Sequence, residues 1–147
     1  MAEGRRPDLR DFTQPLPMAL LKARESVMDY FRPLLREHNV SEQQWRVIRA
    51  LRDREGIEAP ELARTCMILT PSLTRIIKTL EQRRLVERFA VEGDQRRRSI
   101  ALTDAGHKLF ETISPRSDAQ YKKLTRKWGR AETDELCRLL TLLDERL

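Results

Sequence analysis

Apolar residues recur at helical spacing along most of the 147-residue chain. A first stripe runs from about Pro17 to His38, and its spacings of three and four predict a long amphipathic helix. Pro33 lies within this stripe and is expected to kink or divide the helix, because proline lacks the amide that a helix interior needs. The members of the stripe are Leu20, Ala23, Val27, Tyr30, Phe31 and Leu34.

A helix start is predicted at Ser41, since Gln44 follows at the third helical position and completes a capping box. This helix is expected to bury Trp45, Ile48 and Leu51 and to end at Gly56. Residues 57–59 leave room for one very short strand.

Two short helices are predicted next, over residues 60–66 and 71–83. Pro60 opens the first, and Thr70, directly before Pro71, is expected to cap the second. The inward face of the second helix is apolar and comprises Leu73, Ile76, Ile77 and Leu80. Its opposite face is polar and basic and comprises Ser72, Arg75, Lys78, Thr79 and Gln82.

A β-hairpin is predicted from the strand-like runs 85–89 and 99–102. The turn AVEGDQRRR between them places Gly93 and Asp94 at the tip and arginines at the end of the hairpin. Thr103 is expected to cap a further helix that Pro115 interrupts. A last helix begins near Ala131 and carries an apolar row of Leu136, Leu139, Leu140 and Leu143.

The net charge of +6 is concentrated in one segment. Residues 71–102 hold eight Lys or Arg and four Asp or Glu, which leaves +4 in 32 residues. Such a patch is typical of a protein that binds a polyanion, although a merely solvated basic face gives the same count.

Composition excludes several other classes of protein. No apolar run approaches the roughly 18 residues of a membrane span. The two cysteines, Cys66 and Cys137, lie far apart and form no CxxC motif, which predicts no disulfide framework and a protein of the reducing cytoplasm. Each is expected to be a small buried residue. No nucleophile elbow, phosphate loop or metal-ligand spacing occurs, so we expect no enzyme, no catalytic residue, no metal and no cofactor.

The order of two short helices and a basic hairpin favours a DNA-binding unit. A helix fits the major groove, where base edges present distinct donors and acceptors, and cationic hairpin side chains suit the adjacent minor groove. The candidate DNA-binding residues are Thr70, Ser72, Thr74, Arg75, Lys78, Arg96, Arg97 and Arg98.

At this point the sequence resembles the MarR family of winged helix-turn-helix regulators, and more closely its homoprotocatechuate and aromatic-acid catabolism subgroup. The resemblance covers roughly residues 16–145. It is carried by ALLKARESVMDYFRPLLREHNVSEQQWRVIRAL, LTPSLTRIIKTLEQRRLVER and DQRRRSIALTDAG. It implies a mainly α protein with a small β-wing, whose N- and C-terminal helices interlock in a homodimer. The residues expected at that interface are Leu20, Leu136, Leu139, Leu140 and Leu143.

The resemblance also implies a wing-tip arginine, a ligand and a mode of action. Arg96 matches the wing-tip arginine, and Asp94 matches the acid that orients it by ion pairing. A small aromatic carboxylate is expected between the dimer helices and the winged domain, where it releases the protein from palindromic DNA. The matching ligand positions here are Arg24, Met28, His38, Trp45 and Arg46.

The predicted organisation is a flexible arm over 1–15, a dimerisation helix over 16–40, the winged helix-turn-helix over 41–103 and C-terminal dimerisation helices over 104–147. The principal hypothesis is a cytoplasmic repressor that senses an aromatic acid. Two alternatives stay open: an architectural DNA-binding protein that senses nothing, and a helical protein–protein adaptor that uses the C-terminal surface.

Overall fold

The computed structural model describes residues 15–147, so the predicted arm lies outside the described residues apart from Pro15. Within this range seven helices and three strands follow in the order α1 (Leu16–Met28), α2 (Arg32–Glu37), α3 (Glu42–Leu51), β1 (Ile57–Glu58), α4 (Ala59–Cys66), α5 (Thr70–Gln82), β2 (Val86–Val91), β3 (Asp94–Leu102), α6 (Asp104–Trp128) and α7 (Arg130–Arg146). The mainly α fold with a small β-wing is confirmed. None of these helices combines the length and hydropathy needed to cross a membrane.

The first apolar stripe forms two helices, as the proline within it predicts. Helix α1 ends at Met28, and α2 begins at Arg32 with Pro33 in its first turn. Proline is tolerated there because the first amides of a helix have no intrahelical partner.

Helix α3 has the predicted capping box. The Ser41 hydroxyl accepts a hydrogen bond from the Gln44 amide at 3.1 Å, and the Gln44 side chain accepts one from the Ser41 amide at 3.0 Å. The helix ends at Leu51, five residues before Gly56, so the predicted end was too late. The chain leaves the helix early because Ile57 pairs with Ile100 in the sheet.

Two further helix predictions need correction. Leu69, and not Thr70, is the N-cap of α5, and no side chain caps that helix. Pro115 does not interrupt α6, which continues from Asp104 to Trp128. A proline removes only its own hydrogen bond, and the fully buried Ile113 one half-turn earlier anchors this part of α6 in the core.

One core joins α2, α3, α4, α5, the sheet and the first half of α6. Its most completely buried large side chains are Ile48, Leu51, Leu62, Leu73, Ile77, Leu80, Ile100 and Ile113. Helix α6 lies close to the sheet because Gly106 has no side chain, since a Cβ there would come within 2.2 Å of the Leu85 carbonyl oxygen. Helices α1 and α7 contribute no buried residue to this core.

The sheet is antiparallel, with the strand order β1-β3-β2. Strands β2 and β3 pair regularly from Val86–Leu102 to Ala90–Arg98, and the next pair is Val91–Asp94. Residues 95–97 therefore have no partner in β2 and form a bulge beside the turn. We call the bulge and turn, residues 91–98, the wing tip.

Candidate nucleic-acid interface and ligand groove

Helix α5 presents a polar face because its apolar residues all point inward. Leu73, Ile76, Ile77 and Leu80 are buried, whereas Thr70, Thr74, Arg75 and Lys78 are exposed and Ser72 is half-buried. The Thr74 hydroxyl donates to the Thr70 carbonyl at 3.0 Å, which leaves its oxygen free to accept. The predicted DNA-binding residues of this helix therefore share one accessible surface.

Helix α4, which packs beside α5, is braced against α3 by a reciprocal pair of contacts. The Arg46 Nη1 donates to the Cys66 carbonyl at 2.9 Å, and the Cys66 thiol donates to the Arg46 carbonyl at 3.7 Å. After Cys66 the chain turns through Met67 in the left-handed region, with φ of 53°. This brace fixes the direction in which the chain enters α5.

At the wing tip, Asp94 holds Arg96 by a different contact from the ion pair that the resemblance implies. The Asp94 carboxylate accepts a hydrogen bond from the backbone amide of Arg96 at 2.9 Å, and the expected ion pair with the Arg96 side chain is not formed. An aspartate that bonds the amide two residues on is an Asx-turn, which holds the backbone of the tip. Asp94 therefore positions Arg96 through the main chain and leaves its guanidinium exposed.

The other two arginines of the wing tip already have partners. Arg97 pairs with Glu58 of β1, and this contact raises the pKa of Arg97. The Arg98 Nη1 donates to the Gln95 carbonyl at 2.6 Å. The arginines occupy the bulge and start of the paired part of β3, while Glu92 and Gly93 form the turn itself. Among the three, Arg96 is the one whose guanidinium forms no hydrogen bond or ion pair within 15–147.

A groove of about 410 Å³ lies between α1, α3 and the α4–α5 turn. It brings together four of the five predicted ligand residues: Arg24, Met28, Trp45 and Arg46. Sequence analysis missed the other residues that line it, which are Glu42, Arg49, Thr65, Cys66 and Met67. Arg49 could have been found from its place four residues after Trp45, one helical turn along the same face.

Ion pairs close the α1 side of this groove. Arg24 reaches Glu42 at 3.0 Å and Glu25 at 3.3 Å, and Arg32 contacts Glu42, Glu25 and Asp29. Burial by itself raises the pKa of Glu42, but hydrogen bonds from Arg32 and Arg24 outweigh it and hold that pKa below its usual value. Since Arg32 also holds Glu42, Arg24 can leave that carboxylate without stranding it.

Trp45 serves both the core and the groove. It is 7% exposed and stacks on Phe110 of α6, with ring centroids 5.5 Å apart and planes inclined by 19°. A second cavity of about 430 Å³ continues past its ring and is lined by Phe31, Trp45, Arg49, Phe110, Ser114, Ser117, Asp118 and Tyr121. Sequence analysis had no signal for Tyr121 and Ser114, because their place beside Trp45 depends on how α6 packs.

His38 does not line the groove and so lies apart from the other four predicted ligand residues. It is the C-cap residue of α2, and its Nε2 lies 3.5 Å from Nη1 of Arg116 on α6. The same arginine pairs with Glu37 at 2.7 Å and lowers the pKa of that carboxyl. The turn after α2 therefore places His38 beside α6.

The residues predicted at a subunit interface form an uncovered apolar surface. Leu20, Leu136, Leu139 and Leu140 are 38–47% exposed, and Leu143 is half-buried. Leu16, Leu21 and Val27 are further exposed apolar residues of α1. We call the apolar residues of α1 and α7 the terminal-helix surface.

The cysteines differ from each other. Cys66 is buried, as predicted, and burial raises the pKa of its thiol, which disfavours the reactive thiolate. Cys137 is exposed on α7, so the expectation of burial is wrong for this chain taken alone. Among residues 15–147 no three His, Cys, Asp or Glu side chains come together as metal ligands would.

Comparisons with known proteins agree with this geometry. The profile of the MarR family matches residues 38–97. The chain is 37% identical over 125 residues to the homoprotocatechuate degradative operon repressor of Escherichia coli, covering 85% of this chain and 84% of the repressor. It is 41% identical over 113 residues to the HTH-type transcriptional regulator FarR of Neisseria gonorrhoeae, covering 77% of each chain. The solved structure of NadR in complex with 4-hydroxyphenylacetate superposes with a TM-score of 0.79 at 35% identity, over 89% of this chain and 96% of NadR.

Proposed function

Because the chain belongs to the MarR family of transcriptional regulators, we propose that it represses transcription as a homodimer bound to a palindromic operator, and that a small aromatic carboxylate releases it. The observation that carries this proposal is the joint exposure of the polar face of α5 and of Arg96 at the wing tip. Since its target is chromosomal DNA, we place the protein in the cytoplasm.

The α5 face and the wing tip suit two neighbouring grooves of one duplex. Helix α5 offers hydroxyl, guanidinium and ammonium groups, which donate hydrogen bonds to base edges and phosphates in the major groove. The wing tip offers an exposed arginine, a side chain that the negative potential of a narrow minor groove attracts. Together they support a half-site read by one protomer.

The terminal-helix surface supports the homodimer. An apolar surface of this extent, on two helices that have no buried residue in the part of the chain that the structure describes, is typical of a protein interface. Two-fold symmetry would place two α5 helices about 34 Å apart, one turn of B-DNA, and would make the operator a palindrome.

The groove beside Trp45 supports the effector. Its volume of about 410 Å³ suits a small molecule, Trp45 offers a flat apolar wall, and Arg24 and Arg46 offer cations for a carboxylate. NadR, whose structure is similar, was solved with 4-hydroxyphenylacetate. We expect an effector of the hydroxyphenylacetate, hydroxybenzoate or hydroxynicotinate type.

Release from DNA would follow from the elements that meet at the groove. A ligand there touches α1, α3 and the α4–α5 turn, so it favours one arrangement of the recognition helix relative to the dimer helices. If that arrangement fits the operator less well, the ligand shifts the population away from the DNA-bound form. By linkage, operator DNA must weaken effector affinity by the same factor.

The test is a mobility shift of the duplex upstream of the protein's own gene, titrated with the purified protein at low salt. Each titration is repeated with a panel of aromatic acids, and calorimetry measures their binding to the free protein. We expect salt-sensitive binding that one hydroxylated aromatic acid weakens at least fivefold.

Each part of the proposal can fail separately. Salt-sensitive binding that no acid of the panel affects would favour an architectural DNA-binding protein. A chain that binds no duplex at low salt would exclude both readings and favour the adaptor.

A further inference from the structure

Two large apolar side chains are exposed at the start of α5. Met67 is 84% exposed and Leu69 is 79% exposed, while Ile68 between them is buried. Most other exposed large apolar residues within 15–147 lie on α1, α6 or α7. Phe89 packs on Gly56, and Leu147 is the last residue, so the proposed dimer does not account for the α4–α5 turn.

Met67 and Leu69 differ in their relation to the ligand groove. Met67 lines the groove with Arg24 and Met28, so its exposed side chain belongs to the effector site already described. Leu69 does not line that groove. It is the N-cap of α5, and its carbonyl accepts the first helical hydrogen bond, from the Leu73 amide at 2.9 Å.

Leucine is a poor residue for this position on two counts. An N-cap is normally Ser, Thr, Asp or Asn, whose side chain bonds a free amide of the first turn, and no side chain caps α5. The leucine also exposes most of its apolar surface to water. A residue that breaks two local rules without a partner among residues 15–147 indicates a functional position.

The neighbours of Leu69 indicate what that function is. Leu69 directly precedes Thr70, and Leu69, Thr70 and Thr74 are all exposed at the N-terminal end of α5. In helix-turn-helix proteins this end of the recognition helix meets the base edges in the major groove. The one apolar group displayed there is the 5-methyl group of thymine.

We propose that Leu69 packs against the 5-methyl group of a thymine in each operator half-site and thereby selects thymine over cytosine at that base pair. The inference rests on the proposed DNA-binding function and adds a specificity-determining residue to it. Donors on α5 read polar edges, whereas Leu69 reads the methyl group, which no hydrogen bond can sense.

The experiment removes the methyl group and the leucine separately. In vitro selection with the wild-type chain first yields a bound duplex, and each thymine of its half-sites is then replaced by uracil in turn. Affinities for these duplexes are measured with the wild type, with Leu69→Ala and with Leu147→Ala as a matched control at the chain end. Leu69 is exposed, so Leu69→Ala should unfold at the wild-type temperature.

At one thymine per half-site, uracil should weaken wild-type binding about fourfold, the factor for burying one methyl-sized group. Leu69→Ala removes the leucine from both protomers of the proposed dimer, so it should bind the thymine duplex about sixteenfold more weakly than the wild type, and it should lose nothing further on the uracil duplex. Leu147→Ala should behave as the wild type.

Equal uracil effects in the wild type and Leu69→Ala would overturn the inference while leaving the DNA-binding function intact. The inference is also wrong if Leu69→Ala keeps the thymine preference but changes the sedimentation coefficient or the effector affinity, since Leu69 would then face another protomer or the ligand. Failure of the wild type to select any duplex would overturn the proposed function itself.

Discussion

Arg96 and Arg24 show how neighbouring groups decide what a cation can do. Arg96 has its backbone held by Asp94 and its guanidinium exposed, so it is available to an external anion. Arg24 shares Glu42 with Arg32, so it can exchange one carboxylate for another at little cost. In the sequence both are simply arginines, and their surroundings are what distinguish the proposed DNA contact of Arg96 from the proposed ligand contact of Arg24.

Arg96→Ala should weaken operator binding roughly tenfold or more, because it removes one minor-groove contact from each half-site. It should leave effector affinity unchanged, since the wing tip does not line the groove. Fluorescence anisotropy at several salt concentrations measures the first effect, and calorimetry measures the second. Lys123→Ala removes the same charge from α6 and should bind the operator as the wild type does; an equal loss in both variants would mean that only net charge matters.

Arg24→Ala should lower the affinity for the aromatic carboxylate about tenfold to a hundredfold, the range for losing a charge-assisted pair in a partly desolvated site. Operator affinity without effector should stay within about twofold of the wild type, because Arg24 lies on α1, away from α5. Calorimetry and effector-release titrations give the two values. Lys22→Ala is the matched control on the same helix, and an intact effector response in Arg24→Ala would show that the groove is assigned wrongly.

The caps and ion pairs at the helix ends fix how the elements meet. Ser41 starts α3 at the place where Glu42 receives Arg24 and Arg32, so the α3 terminus is joined to both α1 and α2. At the other end of the unit, Glu58 of β1 holds Arg97 at the wing tip. The orientation of α5 and of the wing therefore depends on short-range contacts at element ends, not on the core alone.

Ser41→Ala should lower the free energy of unfolding by about 1 kcal/mol, because both capping-box hydrogen bonds depend on this residue's geometry. Thr70→Ala should change it by only a few tenths, since Thr70 follows the N-cap of α5 and caps nothing. Urea denaturation followed by circular dichroism compares the two variants with the wild type. A larger loss in Thr70→Ala than in Ser41→Ala would contradict the observed cap of α5.

The stability that Glu42 contributes should depend on pH. Its pKa is lower in the folded than in the unfolded chain, so its contribution is complete above the unfolded value and is lost as pH falls through the folded one. Glu42→Gln should therefore unfold more easily than the wild type at pH 7, by about 1 kcal/mol. The difference should shrink steadily below about pH 4, the region where ordinary glutamates protonate. A difference that stays constant from pH 7 to pH 3 would mean that charge does not account for it.

Two features of the whole molecule support the proposed pairing with a second copy of the chain. Helices α1 and α7 hold apolar surface that their own core does not cover. The proposed palindromic operator would also need two α5 helices at a fixed separation, which one chain cannot supply. Dimerisation would satisfy both needs at once, and it would bring the groove beside α1 next to the partner subunit.

Leu140→Glu should convert the protein from twice the 17.3 kDa chain mass to that mass in sedimentation equilibrium, because it places a charge in the terminal-helix surface. Operator binding should fall at least a hundredfold, since two half-sites can no longer be bound together. Thr141→Glu adds the same charge at the next position of α7 and should remain dimeric. A Leu140→Glu variant that stays dimeric would place the interface elsewhere.

The sequence by itself determined the elements and the family. Apolar spacing, the capping box at Ser41 and the order of helix, helix and hairpin are local properties of the chain, and they placed α3, α4, α5 and the wing within a few residues. Patterns of this kind are readable because each depends on neighbours at most four positions apart.

Only the tertiary structure decided which distant side chains meet. It brought Arg24, Trp45 and Arg46 into one groove and placed His38 beside Arg116. It also placed Tyr121 beside the tryptophan and let α6 continue through Pro115. The structure also shows that Asp94 accepts a hydrogen bond from the backbone amide of Arg96 and does not pair with the Arg96 side chain. It shows as well that an exposed leucine, Leu69, occupies the N-cap position of α5, where a capping residue is expected. These facts depend on how helices pack and on which hydrogen bonds compete in three dimensions, and no spacing along the chain encodes them.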